Sequence, residues 1–590
     1  MLRKILYILI ISCLHYYGIA QQTYKFPKVL FVTTGDGDGR GTIPDGVVLS
    51  LQTFNRLGVS VRLENRSVLL KPEILAKYTI LLIPSVTGYH DKPVPASLSY
   101  MLEIEMKNIT EWVKNGGTLI SDVNIGRNTI DGKDRILSKG VLDNESWLLS
   151  KCFGVELKEI NTEGFSIKDT KLDIWKKKII SKNKWELVPV NSTKKVNVLA
   201  KRSIDIISYP AITLNKFGKG NALLLPSFHL LTPKDDGGLS SEDEIIQFYN
   251  YIFNIAIGER NHQIFPEPWK DGYTSVYCQT FDDGGNKQQY ERMISFVKQN
   301  KLPTVFFATP NIDSNIIEKI LGEPYVSLQG HSFNHPDFRK LDFHQTENEF
   351  LLNREFWNTN FVGFRFPYVS NSFWGMYKLE ELGFIYETSI AANNIDFIRG
   401  SVVPYNIPIF NDNFYKSLNL LEISQIYRSD WYFYQKVLER EPYTKKQQKI
   451  DADKFRTYLF DYHSKVVEPN KGVMVYLGHP MYTFISETTM QALADFLSYI
   501  KSRNVWITTL DELAKYRNRL SNLELNISEQ QNEVVINMKT DNHSITGLTF
   551  KLDKMPQKVI YNETYNIKEI DNNIYLILNV NNKNTVKILY

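Results

Sequence analysis

Eight short apolar runs between Thr274 and Thr508 constrain the fold of this chain more than any other feature. They are Thr274–Cys278, Thr304–Ala308, Tyr325–Gln329, Phe361–Phe366, Ile385–Ser389, Leu420–Ile423, Val473–Leu477 and Val505–Thr508. Each is rich in β-branched and aromatic residues, which fit a pleated, buried strand. Stretches with helical spacing, such as Tyr290–Lys298 and Thr488–Lys501, separate most of them. Strand and helix in alternation imply a parallel sheet covered by helices. So many strands within roughly 245 residues fit a distorted (β/α) barrel, where chemistry gathers at the C-terminal ends of the strands.

With 590 residues, the chain exceeds what one hydrophobic core can hold. Residues 28–124 alternate in the same way. Strands are expected at Lys28–Thr33, Val59–Leu63, Tyr78–Pro84 and Thr118–Ser121, and helices at Val47–Leu57 and Met101–Lys114. Residues 150–230 read as a β-rich completion of that domain. The glycine-rich Gly35–Gly39 fits neither G-x-G-x-x-G nor a loop ending in Gly-Lys-Ser/Thr, so it does not predict a nucleotide site. From Leu520 to Tyr590, short alternating runs separated by Asn-rich turns predict a small all-β domain. The expected boundaries are 28–255, 272–515 and 520–590.

The first residues carry an address. Arg3 and Lys4 precede the apolar Ile5–Leu14, and Gly18-Ile19-Ala20 offers the small residues a signal peptidase reads. A signal peptide over 1–20 and an exported protein are expected, with lipid attachment at Cys13 as the second choice. No later apolar run is long enough to span a bilayer. After cleavage only Cys152 and Cys278 remain, too few for a disulfide framework. A net charge of +4, from 69 basic and 65 acidic residues, does not point to nucleic acid. The 13% aromatic share suits sugar faces as well as cores.

Four motifs carry the chemistry. The first is Thr280-Phe281-Asp282-Asp283-Gly284-Gly285, where a strand runs into two adjacent carboxylates. Neighbouring negative charges repel unless a cation separates them, so one carboxylate is expected to hold a cation and the other a proton. The second is His331-Ser332-Phe333-Asn334-His335-Pro336. Two histidines four apart on one helical turn can grip one metal ion, and an aspartate with them leaves positions open for water and substrate. Imidazole and carboxylate suit Zn²⁺, with Co²⁺, Mn²⁺ or Ni²⁺ as alternatives. The third is Arg365-Phe366-Pro367-Tyr368, whose cation can orient the non-ligating carboxylate and keep it ionised. The fourth is Leu477-Gly478-His479, a histidine leaving a buried strand with a pKa suited to a general acid.

In this order the four motifs resemble the signatures of the polysaccharide deacetylase family (carbohydrate esterase family 4, NodB-homology domain) over residues 272–515. The resemblance implies Asp282 as catalytic base and Asp283, His331 and His335 as metal ligands. It implies Arg365 as the residue orienting Asp282, and His479 as the acid. The Tyr368 backbone amide would bind the oxyanion, and Leu477 would line the acetyl pocket. The family's acid-tuning aspartate has no obvious counterpart, and Glu387, Glu422 and Asp430 all stand as candidates. More loosely, residues 28–255 resemble a flavodoxin-like domain of the glutamine-amidotransferase-like type. Its nucleophile position, Pro84-Ser85-Val86, lacks the cysteine, so a non-catalytic role is expected. Together these imply a metal-dependent hydrolase removing N-acetyl groups from an amino-sugar polysaccharide. The alternatives are a non-catalytic polysaccharide-binding or assembly protein, and an O-acetyl esterase on the same barrel. Which polymer is bound is left open.

Overall fold

A parallel sheet whose strands follow one another around a curl dominates the chain. The computed structural model describes residues 22–590 apart from 34–38, 86–97, 132, 134, 136–145, 162–164, 176–178, 182–184, 191–195, 205–206, 235–237, 259, 393–399, 412–413 and 439–441. The expected signal peptide with Cys13, and most of Gly35–Gly39, lie outside the described residues.

Two compact units are present: residues 28–256 with 273–517, and residues 22–27 with 257–272 and 518–590. In the first, β1 (Val29–Val32), β2 (Val61–Glu64), β3 (Ile80–Ile83), β4 (Thr118–Asp122) and β5 (Gly220–Leu225) form a parallel sheet in the order β2-β1-β3-β4-β5. These strands are short and nearly continuous in Val, Ile and Leu because helices cover both faces of such a sheet. Beyond β5 the same sheet continues in antiparallel fashion through Ile207–Phe217, Val196–Ile204, Phe165–Thr170 and Ile179–Ser181. A core of Leu30, Leu81, Met106, Trp112, Trp147 and Phe153 fills one side of it.

In the second half of this unit, β6 (Ser275–Asp282), β7 (Thr304–Ala308), β8 (Val326–Gly330), β9 (Gly363–Phe364), β10 (Tyr386–Glu387) and β11 (Phe414–Glu422) pair in sequence, all parallel. On its other side β6 pairs with β12 (Val473–Gly478), and its first residues pair with Val505–Ile507. The chain leaving β11 reaches β12 through a bridge at Gln425 and Val475, with Ile426 N–H donating to the Val475 carbonyl at 3.0 Å. The sheet thus curls into a distorted barrel. Tyr405–Asn411 adds an antiparallel edge to β11, so the run expected at Leu420–Ile423 is the end of a hairpin. Phe338, Phe350, Phe364, Phe366 and Phe384 pack outside β9 as an aromatic cluster. Each such ring contributes about 1.5–3 kcal/mol through burial.

The strand over Thr274–Cys278 in fact extends to Asp282, so the carboxylate pair straddles the strand end. Gly284 follows with φ 99°, a value side-chain-bearing residues rarely adopt, and its carbonyl accepts from Met481 N–H at 3.0 Å. That turn ties the end of β6 to the segment just after β12.

The second unit joins Gln22–Lys25 to the C-terminal residues. Gln22–Lys25 pairs antiparallel with Glu524–Gln530, and Phe265–Pro266 pairs with Ile545–Leu552. The two sheets of this unit have five and four strands. Phe265–Pro266, which falls between the expected domains 28–255 and 272–515, therefore supplies a strand to this unit.

Candidate active site

Asp283, His331 and His335 converge at the C-terminal ends of β6 and β8. Their ligand atoms lie within 4.8 Å of one another. Asp283 Oδ1 is 3.9 Å from His331 Nε2 and 3.8 Å from His335 Nε2. The Nδ1–H of His331 donates to the Arg365 carbonyl at 2.7 Å, which leaves the Nε2 lone pair turned toward Asp283. The Thr309 hydroxyl donates to the other oxygen of Asp283. One carboxylate and two imidazoles, each with an outer partner or an open lone pair, fit a divalent cation.

The helical turn expected for His331–His335 is not what the chain forms. Ser332 and His335 have φ of 72° and 57°, and the segment is an irregular loop. Its shape comes from helix Phe343–Trp357. Glu349 accepts from the N–H groups of Phe333 (3.0 Å) and Asn334 (2.8 Å) and from the Asn334 amide (2.7 Å). One turn on, the Asn353 amide donates to the carbonyls of Ser332 (2.6 Å) and Ala308 (3.2 Å). Residues four apart on a helix share a face, so Glu349 and Asn353 clamp the loop together. Nothing local in the sequence marks either residue.

Asp282, buried at the end of β6, faces Arg365, which follows β9. Arg365 Nη1 donates to Asp282 Oδ1 at 2.6 Å and to the Thr280 hydroxyl at 2.8 Å. Its Nε donates to the Thr388 carbonyl at 3.0 Å, and its guanidinium lies over the Phe307 ring at 4.4 Å. Arg365 is 0% exposed, so nearly every donor needs a partner. Burial pushes the Asp282 carboxyl upward. The Arg365 charge, with His331 and His479 behind it, outweighs burial and holds the group below the ordinary carboxylate range.

His479 leaves β12 with its side chain 22% exposed. Its Nδ1 is 2.8 Å from Asp430 Oδ1, and its N–H donates to Asp430 Oδ2 at 2.7 Å. Thr483 donates to the same oxygen at 2.8 Å. Of the three acidic candidates, Asp430 is the one that meets His479. Glu387 and Glu422 sit opposite each other in β10 and β11, both buried. Burial and their mutual repulsion hold Glu422 well above the ordinary range, as two carboxyls sharing a proton require. Burial pushes His479 down, but the Asp430 charge and hydrogen bond, with Asp282 and Asp283, raise it above its ordinary value.

Tyr368 lies 66% exposed, its ring 4.6 Å from that of His335. Tyr368 and Val369 have φ of 55° and 48°. Left-handed backbone costs about 1–3 kcal/mol at such residues and persists where surroundings over-determine it. Leu477 is buried near the end of β12, followed by Gly478 and His479.

Two family models match parts of the chain. The polysaccharide deacetylase family model matches residues 271–384, and the beta-galactosidase trimerisation domain model matches residues 74–238. No curated protein matches the chain. Among solved structures, a Mycobacterium smegmatis protein solved as a polysaccharide deacetylase is 18% identical with TM-score 0.35, over 42% of this chain and 92% of that one. A family 4 carbohydrate esterase from Streptomyces lividans, in complex with acetate, is 12% identical with TM-score 0.26, over 40% of this chain and 92% of that one. A GH42 beta-galactosidase from G. stearothermophilus is 15% identical with TM-score 0.26, over 40% of this chain and 32% of that one. Residues 271–384, which run from β6 to β9 and hold three of the four motifs, thus match the polysaccharide deacetylase family model.

Proposed function

We propose that the barrel hydrolyses N-acetyl groups on an amino-sugar polysaccharide, with a divalent ion, Zn²⁺ first, held by Asp283, His331 and His335. The observation that carries this reading is the meeting of that triad with Asp282 and His479, two groups whose protonation preferences are opposite.

A divalent ion bound there would polarise the acyl carbonyl and acidify a bound water. Asp282, kept ionised by Arg365, takes the proton of the attacking water. Arg365 also fixes which way that carboxylate points, since Thr280 and Thr388 hold the guanidinium in turn. The Tyr368 amide is the donor assigned to the developing oxyanion, and the Tyr368 ring stands 4.6 Å from that of His335. His479, kept protonated by Asp430, gives its proton to the departing nitrogen. Leu477 lines the side where the acetyl methyl sits. We read the 28–255 module as flavodoxin-like and non-catalytic, and the protein as exported.

Acetate release from N-acetylated and O-acetylated glycans, with and without a chelator, tests this. Chelator-sensitive release from N-acetylated polymers is expected. Release only from O-acetylated glycans would favour the esterase, and no release with metal bound would favour a binding protein.

The histidine assignment makes its own prediction. His479 must be protonated to act, so activity is lost as pH rises through its pKa. Asp430→Asn removes the charge that raises that pKa, so the alkaline limb of kcat should move to lower pH, with kcat reduced about 10²-fold or more. An Asp430→Asn enzyme with the wild-type pH profile would remove the pairing from the mechanism.

A further inference from the structure

The N-terminal sheet module touches the barrel at a place that bears on the site. Downstream of β1, Gly39 to Gly41 lies along the Tyr405–Asn411 strand. Arg40 forms an antiparallel bridge with Ile409, Phe410 N–H donates to the Gly39 carbonyl at 3.1 Å, and the Tyr405 hydroxyl donates to the Gly41 carbonyl at 2.9 Å. The approach needs glycine on both sides of Arg40. Gly39 has φ 75° and a side chain there would run into the Phe410 carbonyl; Gly41 has φ 105° and a Cβ would meet Ile407 at 2.9 Å.

From this edge Arg40 exchanges hydrogen bonds with Asn371. The Asn371 amide donates to the Arg40 carbonyl at 2.8 Å, and Arg40 Nη1 donates to the Asn371 carbonyl at 3.4 Å. Asn371 ends the loop that holds Tyr368 and Val369 in left-handed backbone. The start of that loop is fixed inside the barrel, where Phe366 N–H donates to the Ser389 hydroxyl at 2.8 Å. Between them, Ser370 is held by Phe338 N–H at 3.0 Å. A loop whose backbone conformation is unfavourable in itself needs both ends fastened.

We propose that Arg40 is a positioning residue, through which the N-terminal module holds the Tyr368 loop in its active shape by way of Asn371. The activity arm of its test rests on the deacetylase reading; the structural arm does not. Full-length Arg40→Ala and Arg40→Lys proteins, which of the two bonds to Asn371 alter only the 3.4 Å side-chain bond, and Asn371→Ala, which removes the 2.8 Å bond to the Arg40 carbonyl, are compared with Asn406→Ala. Asn406 joins the same two parts elsewhere, accepting from Leu63 N–H at 3.0 Å and donating to the Leu63 carbonyl at 2.7 Å. Amide hydrogen exchange is followed at Val369 and Ser370, which bond to the Phe366 and Pro367 carbonyls at 3.1 and 3.0 Å.

Asn371→Ala is expected to speed exchange at those two amides and to lower kcat about tenfold with little change in KM, as a displaced catalytic group does, and Arg40→Ala, which keeps the carbonyl, to move both in the same direction by less. Arg40→Lys, which keeps a donor, should recover part of both. Asn406→Ala should lower the melting temperature without moving either. Unchanged exchange in both Arg40→Ala and Asn371→Ala, or the same loop loosening in Asn406→Ala, overturns the proposal. If the wild type releases no acetate, the exchange comparison still decides it.

Discussion

Asparagine at position 282 is expected to lower acetate release by about 10²–10⁴-fold while the protein still binds its metal. The reasoning runs through Arg365. The buried guanidinium donates to Asp282 Oδ1 at 2.6 Å, and an asparagine keeps an oxygen there, so the pair is weakened rather than emptied. The amide cannot take a proton from water, however, and that is the function assigned to the carboxylate. Asp283, one residue on, keeps its contacts with Thr309 and the two histidines. Elemental analysis of the purified variant should therefore match wild type while turnover collapses. Undiminished turnover would show that another group is the base. Reduced metal together with reduced turnover would mean that Asp282 belongs to the ligand set.

The second large effect is expected at His331. Alanine there removes one ligand atom from the triad and frees the Arg365 carbonyl that its Nδ1–H now satisfies. Metal affinity should fall by more than the about 10–100-fold typical of losing an outer-shell partner, and activity should fall with it. Competition with a chelator of known affinity measures the first, and acetate release at saturating metal the second. If His331→Ala holds the ion as tightly as the wild type, the residue is not a ligand and the triad is misassigned. Taken together, the two variants separate proton transfer from metal retention, because the proposal assigns the two residues different work.

How much of this the chain declares in advance depends on sequence distance. Asp282 and Asp283 stand beside each other, and His331 and His335 lie four apart, so their chemistry is visible as short motifs. Their geometry is not. The spacing of the histidines suggests a helical turn, yet Glu349 and Asn353 pull the loop into left-handed backbone at Ser332 and His335. Both clamps sit on a helix that looks like ordinary barrel packing. Asp430 follows the same logic. It lies 49 residues before His479, beyond the Tyr405–Glu422 hairpin, and two other buried acids compete for the role. The three-dimensional arrangement decides among them because only Asp430 reaches the imidazole, whereas Glu387 and Glu422 face each other across neighbouring strands.

By itself the sequence determined the alternation of strands and helices, the parallel sheet this implies, and the side chains able to hold a cation and move protons. Those properties follow from periodicity and side-chain chemistry, which are local. The tertiary structure alone decided which acid partners His479, what bends the histidine loop, and that Arg40 of the N-terminal module meets Asn371 next to the Tyr368 loop. These depend on contacts between distant residues, Arg40 and Asn371 being 331 positions apart. Such contacts are selected by how layers pack and close, and a one-dimensional pattern carries no record of that.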